Sequence, residues 1–292
     1  SAVISKRYIM IGDLIEFYDK DKLLSKGSAH VVERDGDVIK LDGLPHGLNK
    51  DDLFNNLTMS PQARICGVTV RRNRARGFLL QTQDVVVENC KIYDPTGVGI
   101  FVTTDVVRWY ESGPGKDIVI RNNYIENANN HLCMEGAITV KCGHDAGGTD
   151  FPAGVHRNIR IEGNTIKNTV GSGVFVCATD GVYIKNNVLT QCSQAPVLPS
   201  GKYAIYLKNS QNVVINGNQI KQSGLPFKAF NCENVESDMT SDVGKTFIYA
   251  ADYTTQAGCT IQSDVQNALA MDGENALARW SYIVVPFSGV YD

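Results

Sequence analysis

A six-residue pattern recurs along the chain, and its spacing constrains the fold more than any other feature. ICGVTV (65–70), VENCKI (87–92), IRNNYI (120–125), IEGNTI (161–166), IKNNVL (184–189) and INGNQI (215–220) share one form. It reads apolar, any, Asn or Gly, variable but usually Asn, any, apolar. The fourth position is Val68, Cys90, Asn123, Asn164, Asn187 and Asn218, at steps of 22, 33, 41, 23 and 31 residues. These steps reduce to a base period of 22–23 residues with insertions of about 11, 19 and 8. Each unit carries further strand-like runs, such as GIFVTT (99–104), GAITVK (136–141) and GVFVCA (173–178), or DIVIRN (117–122) and GVYIKN (181–186). They are short, rich in β-branched residues and punctuated by Asn and Gly, which are strand and turn signals.

A period of 22–23 with no helical segment fits one turn of a right-handed parallel β-helix. Leucine-rich repeats are the rival solenoid, and their Leu-rich consensus is missing. In a β-helix successive coils pair about 4.8 Å apart. No coil buries its apolar face alone, so stability comes from stacking. The repeated Asn is expected to serve twice, by tolerating a left-handed backbone at one corner and by hydrogen-bonding along a ladder of stacked amides. Cys90 and Val68 break that ladder at its early end.

The predicted architecture is all-β: a small antiparallel β module over 1–64, the parallel β-helix over 65–223, and a non-repeating C-terminal cap or tail over 224–292. The module is read from alternating runs such as HVVERDGDVIKL (30–41), with Asp-Gly at a turn. The tail holds strand-like TFIYAADYTT (246–255) and CTIQ (259–262), and DVQNALAMDGENALARW (264–280) has helical character. A cap is expected there because an uncapped solenoid exposes sheet edges.

Composition excludes several functions. Lys plus Arg is 28 against 31 Asp plus Glu, a formal net charge of -3. That balance argues against nucleic acid as a partner, although RRNRARG (71–77) is locally basic. No stretch approaches the roughly 18 apolar residues of a membrane span, and the opening SAVISKRYIM has no apolar core of a signal peptide. Eight cysteines form no Cys-x-x-Cys pair and are read as mostly buried free thiols. No metal site and no cofactor is expected. His131 and Glu135 have i, i+4 spacing, but their segment reads as turn then strand, and no nucleotide-binding or zinc-hydrolase motif occurs.

Candidate chemistry lies in the insertions, which in solenoids gather on particular faces. DVVRWYESGPGK (105–116) and CGHDAGGTDFPAGVHR (142–157) leave equivalent strands of consecutive coils, so they should form one wall. QCSQAPVLPSGK (191–202) leaves from a different corner. Asp105 leads the first loop. Asp180 holds the comparable corner two coils later, about 9.6 Å along the axis, which is the upper end of the separation used by an inverting pair of carboxyl groups. Aspartate at such a corner also caps turns. Glu111, Glu135, Asp145 and Asp150 are further acids nearby. Trp109 and Tyr110 beside carboxylates suit the apolar face of a sugar ring. Arg74 and Arg76 offer guanidinium forks for polar or anionic groups.

GDLIEFYD (12–19), NRARG (73–77), VVVENCKI (85–92), the Asp105, Trp109, Tyr110, Glu111, Ser112, Gly113 series and DIVIRNN (117–123) together resemble glycoside hydrolase family 110 over roughly residues 9–190. NRARG and WYESG are the most specific parts. The resemblance implies a right-handed β-helix with an inserted β module. It also implies an exo-acting, inverting α-1,3-galactosidase working on terminal galactose of glycans. Members are about twice this length and carry a paired-aspartate motif, in an Asp-Asp-x-x-Asn-x-His-Gly context, upstream of the GD-x-IEFY segment. That motif is absent here; the only adjacent acidic pair, Asp51–Asp52, stands in KDDLFNN. The chain thus matches the C-terminal part of the family, and Asp105, Glu111, Trp109, Arg74 and Arg76 carry over as pocket residues.

The reading is a carbohydrate-active β-helix acting on oligo- or polysaccharide, with Asp105 and Glu111 as the catalytic pair. Arg74, Arg76, Trp109, Tyr110, Glu135 and Asp180 are its substrate-binding residues. A missing upstream half or a homo-oligomer is the expected protein partner, and a secreted or periplasmic location suits a glycan substrate. The alternatives are a non-catalytic glycan-binding or structural solenoid, such as a fibre or adhesin segment, and a polysaccharide lyase.

Overall fold

The computed structural model describes residues 9–36, 38–106, 112–129, 135–143, 150–194 and 199–239, and two short strands beyond them. The chain divides into two compact units, 1–239 and 240–292. In the first, strands β1 (Leu14–Tyr18), β2 (Ser25–Asp35), β3 (Val38–Leu41) and β4 (Leu53–Asn56) form an antiparallel sheet in the order β3-β2-β1-β4. The expected Asp-Gly turn joins β2 to β3, with Gly36 at φ +54.

Six coils of three strands follow. They are β5 (Ala63–Cys66), β6 (Thr69–Arg71) and β7 (Phe78–Leu80); β8 (Val85–Glu88), β9 (Lys91–Tyr93) and β10 (Ile100–Val102); and β11 (Lys116–Arg121), β12 (Tyr124–Glu126) and β13 (Gly136–Val140). Next come β14 (His156–Glu162), β15 (Thr165–Lys167) and β16 (Ser172–Cys177); β17 (Thr179–Lys185), β18 (Val188–Thr190) and β19 (Tyr203–Lys208); and β20 (Gln211–Asn216), β21 (Gln219–Lys221) and β22 (Leu225–Phe230). A last strand, β23 (Glu233–Ser237), opens a seventh coil. The first, second and third strands of each coil stack into parallel sheets A, B and C of seven, six and six strands. This is the all-β, right-handed parallel β-helix read from the repeat. The sheets run past residue 223, because Phe227, Ala229 and Val235 keep the inward apolar columns in register after the Asn consensus lapses.

Inward side chains stack in unbroken columns. Ile65, Val87, Ile120, Ile161, Ile184 and Ile215 are level in sheet A, and Ile100, Ile138, Val174 and Ile205 in sheet C. From the second coil on these residues are fully buried. Each buried Ile or Val removed to Ala costs a few kcal/mol, on the order of 2–5 for the larger ones.

At the corner from sheet A to sheet B the two roles expected of one Asn belong to two neighbouring residues. The left-handed backbone falls on the third consensus position: Gly67, Asn89, Asn122, Gly163, Asn186 and Gly217, all with φ between 54 and 69. The ladder falls on the fourth. Asn123, Asn164 and Asn187 each donate through Nδ2 to the carboxamide oxygen of the next ladder residue at 2.9–3.0 Å and to a backbone carbonyl of the preceding coil. Each Oδ1 accepts a backbone N–H from the coil before. The amides are buried, so an unsatisfied donor or acceptor here would cost about 1–3 kcal/mol.

The middle strands of sheet C, β10, β13 and β16, are buried on both faces. Outward-facing Phe101, Thr139 and Phe175, level with one another, are at most 1% exposed. Leu23, Leu24 and Leu53 of the antiparallel module, with Phe151 and Val155, pack on Phe175 and Cys177. The docking is fixed by Glu16, which accepts hydrogen bonds from Tyr18 (2.6 Å), Ser25 (2.5 Å) and Arg157 of β14 (2.6 Å). Burial would raise the Glu16 carboxyl, but the two hydroxyls and the guanidinium outweigh it and hold the group below its ordinary range. GDLIEFYD is thus a docking motif. In the second unit, β24 (Cys259–Ile261) and β25 (Leu269–Met271) pair antiparallel. Residues 269–271 are therefore strand where the sequence had helical character: the cross-strand partner, not local propensity, decides. No helix of the described residues is long and apolar enough to cross a membrane.

Candidate functional site

Sheet C carries the candidate chemistry along its two edges. Asp105 lies three residues past the end of β10, at the corner from sheet C to sheet A, and is 6% exposed. Its backbone bridges Ser112 across the first insertion, and the Thr104 hydroxyl donates to the Ser112 carbonyl at 2.8 Å. The neighbouring coil is stitched to it: Gly143 N–H donates to the Thr104 carbonyl at 3.0 Å and the Thr103 hydroxyl at 2.9 Å. The described ends of the two insertions therefore adjoin, as their shared corner predicts.

Asp180 lies at the same edge, but the register of β10, β13 and β16 puts Asp105 level with Gly143 and Thr179. Asp180 is one residue further on, in β17, and accepts a 2.7 Å bond from Asn212 Nδ2. Asp117, one register position further along sheet A, accepts from Asn158 at 2.6 Å. Both aspartates join this corner to the next coil. Trp109, Tyr110 and Glu111 lie outside the described residues, as do His131 and Asp145.

Glu135, Arg74 and Arg76 share the opposite edge, at the corner from sheet B to sheet C. Asn73 shapes the arginine loop, with its Nδ2 donating to the Arg76 carbonyl at 2.7 Å and its Oδ1 accepting from Ala75 N–H at 3.2 Å. Arg74 is exposed and Arg76 half-buried. The extended run from one edge to the other, Gly99 to Asp105 in the second coil, takes about six residue steps, so roughly 20 Å of backbone separates these arginines from the Asp105 corner. The structure groups the candidates into two sets facing each other across sheet C.

Lys141 was not singled out by its sequence, where TVKCG reads as a strand running into a turn. It is 2% exposed, and its Nζ lies 3.2 Å from Glu135 Oε1. The pair ties the residue just before β13 to the residue just after it. Glu135 Oε2 has no hydrogen-bond partner among the described residues. Taking two charges out of water costs several kcal/mol per ion before their attraction offsets it.

His156 sits beside this edge, fully buried, accepting at Nδ1 from Gly115 N–H (3.1 Å), with Nε2 3.7 Å from Cys142 Sγ. Burial pushes the imidazole down to about 4 and the Cys142 thiol well above its ordinary value, so both are neutral and the pair does not form a nucleophilic thiolate. The unfolded chain takes up the histidine proton near pH 6.5, the native chain only near 4. Stability from neutral His156 is complete above pH 6.5 and is lost as pH falls toward 4, by about 3 kcal/mol. His156→Gln, whose side-chain oxygen can still accept from Gly115, should flatten that slope in urea titrations; an unchanged slope would refute it. Cys90, Cys142, Cys177 and Cys192 are buried free thiols and act as small core residues. Among the described residues no three His, Cys, Asp or Glu side chains converge as metal ligands do.

A cleft of about 340 Å³ opens between the antiparallel module and the first coil. Its walls come from β4, the Gln81–Gln83 corner, Val106 and Ser112–Pro114, so it adjoins the Asp105 corner through the next residue in the chain and through the bridge partner Ser112. A second, more open depression is lined by charged Asp21, Lys22 and Asp150.

Residues 56–232 match the family described as right-handed β-helix region. An α-1,3-galactosidase A of Bacteroides fragilis is 29% identical over 187 residues, covering 63% of this chain and 30% of the relative. An α-1,3-galactosidase B of Bacteroides thetaiotaomicron is 30% identical over 181 residues, covering 61% and 29%. An α-1,3-galactosidase A of Akkermansia muciniphila is 34% identical over 151 residues, covering 50% and 23%. The matched stretch is under a third of the length of each relative.

Proposed function

We propose that this chain, which belongs to the right-handed β-helix family, is the C-terminal part of a glycoside hydrolase that releases terminal α-1,3-linked galactose from glycans with inversion. The likeness over 187 residues to a curated α-1,3-galactosidase carries the reading. The geometry adds a buried carboxyl group, Asp105, at the rim of a cleft. An inverting hydrolase needs one carboxylic acid to protonate the leaving oxygen and one carboxylate to activate water. Asp105 and Glu111 are assigned to these tasks, with Trp109 and Tyr110 against the sugar ring. Arg74 and Arg76 stand at the opposite edge of sheet C, whose outer face is covered between the two edges, and are assigned to a group at the far end of a long glycan. Glu135 and Asp180 hold the two edges in place around the substrate.

An upstream half of the protein is the proposed partner. Ile65, Val70 and Phe78 of the first coil are half-buried, where their counterparts one coil on are fully buried. A further coil stacked there would complete their burial. The proposed location is the periplasm or outside the cell, which suits a glycan substrate.

The test is galactose release from α-1,3-galactobiose by the chain, alone and supplied with an upstream half, the anomer followed by NMR. Release of β-galactose is expected. Release of α-galactose would overturn inversion. Binding without release in both preparations would leave a glycan-binding solenoid instead.

A further inference from the structure

We propose that the cleft between the antiparallel module and the first coil is a subsite for an uncharged sugar on the leaving-group side of the bond that is broken. This rests on the galactosidase reading above. Among the described residues its lining contains no Lys, Arg, Asp or Glu. Charged pairs lie close by but turn elsewhere: Asp52, next to β4, is held by Lys26 at 2.8 Å. A cleft without a carboxyl group does not break the glycosidic bond. It adjoins one that can, because Val106 and Ser112, its lining residues, flank Asp105 in the chain and in the bridge.

Asn56, Ser60 and Thr82 of its lining are engaged in hydrogen bonds, but three side-chain amides are not. The side-chain amides of Asn55, Gln81 and Gln83 find no hydrogen-bond partner among the described residues. Each amide supplies donors and an acceptor, which is what vicinal hydroxyls of a sugar require. Leu53 and Phe54 supply the apolar wall for the C–H face of a ring. Its volume lies at the small end of ligand sites, which run from roughly 300 to 1,000 Å³. A sulfated or uronic sugar would surrender hydration there with no counter-charge to replace it. The backbone is cut to fit: a Cβ on Gly113 would stand 2.7 Å from Asn55 Nδ2, so glycine lets that amide stay in the cleft.

The experiment titrates α-1,3-galactobiose, and galactobiose sulfated on its reducing sugar, into the chain by NMR and calorimetry. Binding requires no turnover, so it is read separately from galactose release. The neutral disaccharide should bind at least tenfold tighter than the sulfated one. Gln81→Leu combined with Gln83→Leu should weaken neutral binding roughly 25-fold, about fivefold for each of two lost hydrogen bonds, and raise KM more than it lowers kcat. Gly113→Ala, one methyl larger, should weaken binding through Asn55. Gln81→Glu keeps the shape of the native side chain and should further disfavour the sulfated sugar. Circular dichroism of each variant establishes that it folds. Equal affinity for both disaccharides, no binding of either, or neutral binding and KM unmoved by all three changes would each overturn the subsite. Cleft-dependent binding without galactose release would leave the subsite standing and remove the hydrolase reading. Release with KM unmoved by the cleft variants would do the reverse.

Discussion

Asp105→Asn is expected to lower kcat for galactose release about a thousandfold, within the 10²–10⁴ range of a lost general acid or base. Asparagine keeps the shape of the side chain and cannot exchange a proton. The bridge from residue 105 to Ser112 is made by the backbone and survives the change. The corner should therefore keep its structure, and KM should move much less than kcat. Kinetics on α-1,3-galactobiose with matched thermal unfolding would check this. A variant with more than a tenth of the parent activity would remove Asp105 from the reaction.

The second large effect is on stability. Lys141→Met should destabilise the solenoid by about 3–5 kcal/mol, the usual cost of leaving one member of a buried ion pair without the other. Glu135 already has one oxygen unpartnered, so losing the ammonium 3.2 Å away leaves a buried carboxylate with less still. Adding Glu135→Leu removes the stranded charge and should recover most of the loss, because apolar replacements of whole buried pairs are often neutral or better. Urea unfolding of the two single variants and the double variant forms the cycle. A double variant no more stable than Lys141→Met would mean that the pair is not the unit that matters.

The solenoid was legible because its information is local and repeated. Alternation in DIVIRN and GVYIKN, and Asn or Gly at one corner, recur coil after coil, so six weak signals support one another. The ladder was legible for the same reason, although one residue proved to be two: Asn122 bends the chain and Asn123 carries the amide bonds. The candidate site was legible in part. Loop position placed Asp105 at a corner beside the second insertion. It did not separate Asp105 from the turn-joining Asp180, because a one-residue register difference decides which carboxylate the next coil engages. Lys141 gave no signal at all, since a lysine after a strand is ordinarily solvated.

The sequence by itself determined the architecture: the strand runs, the corners, and the inward columns from Val87 to Ile215. Only the tertiary structure decided which outer face is covered. Glu16 and Arg157 are 141 residues apart, and no period connects them. Their contact docks the module beside sheet C, and the same docking shapes the cleft at Gln81 and Asn55. Repeats write their neighbours into the local pattern, because each coil meets a near copy of itself. A contact between two unlike surfaces is made once, and depends on shape and charge that appear only when both are folded.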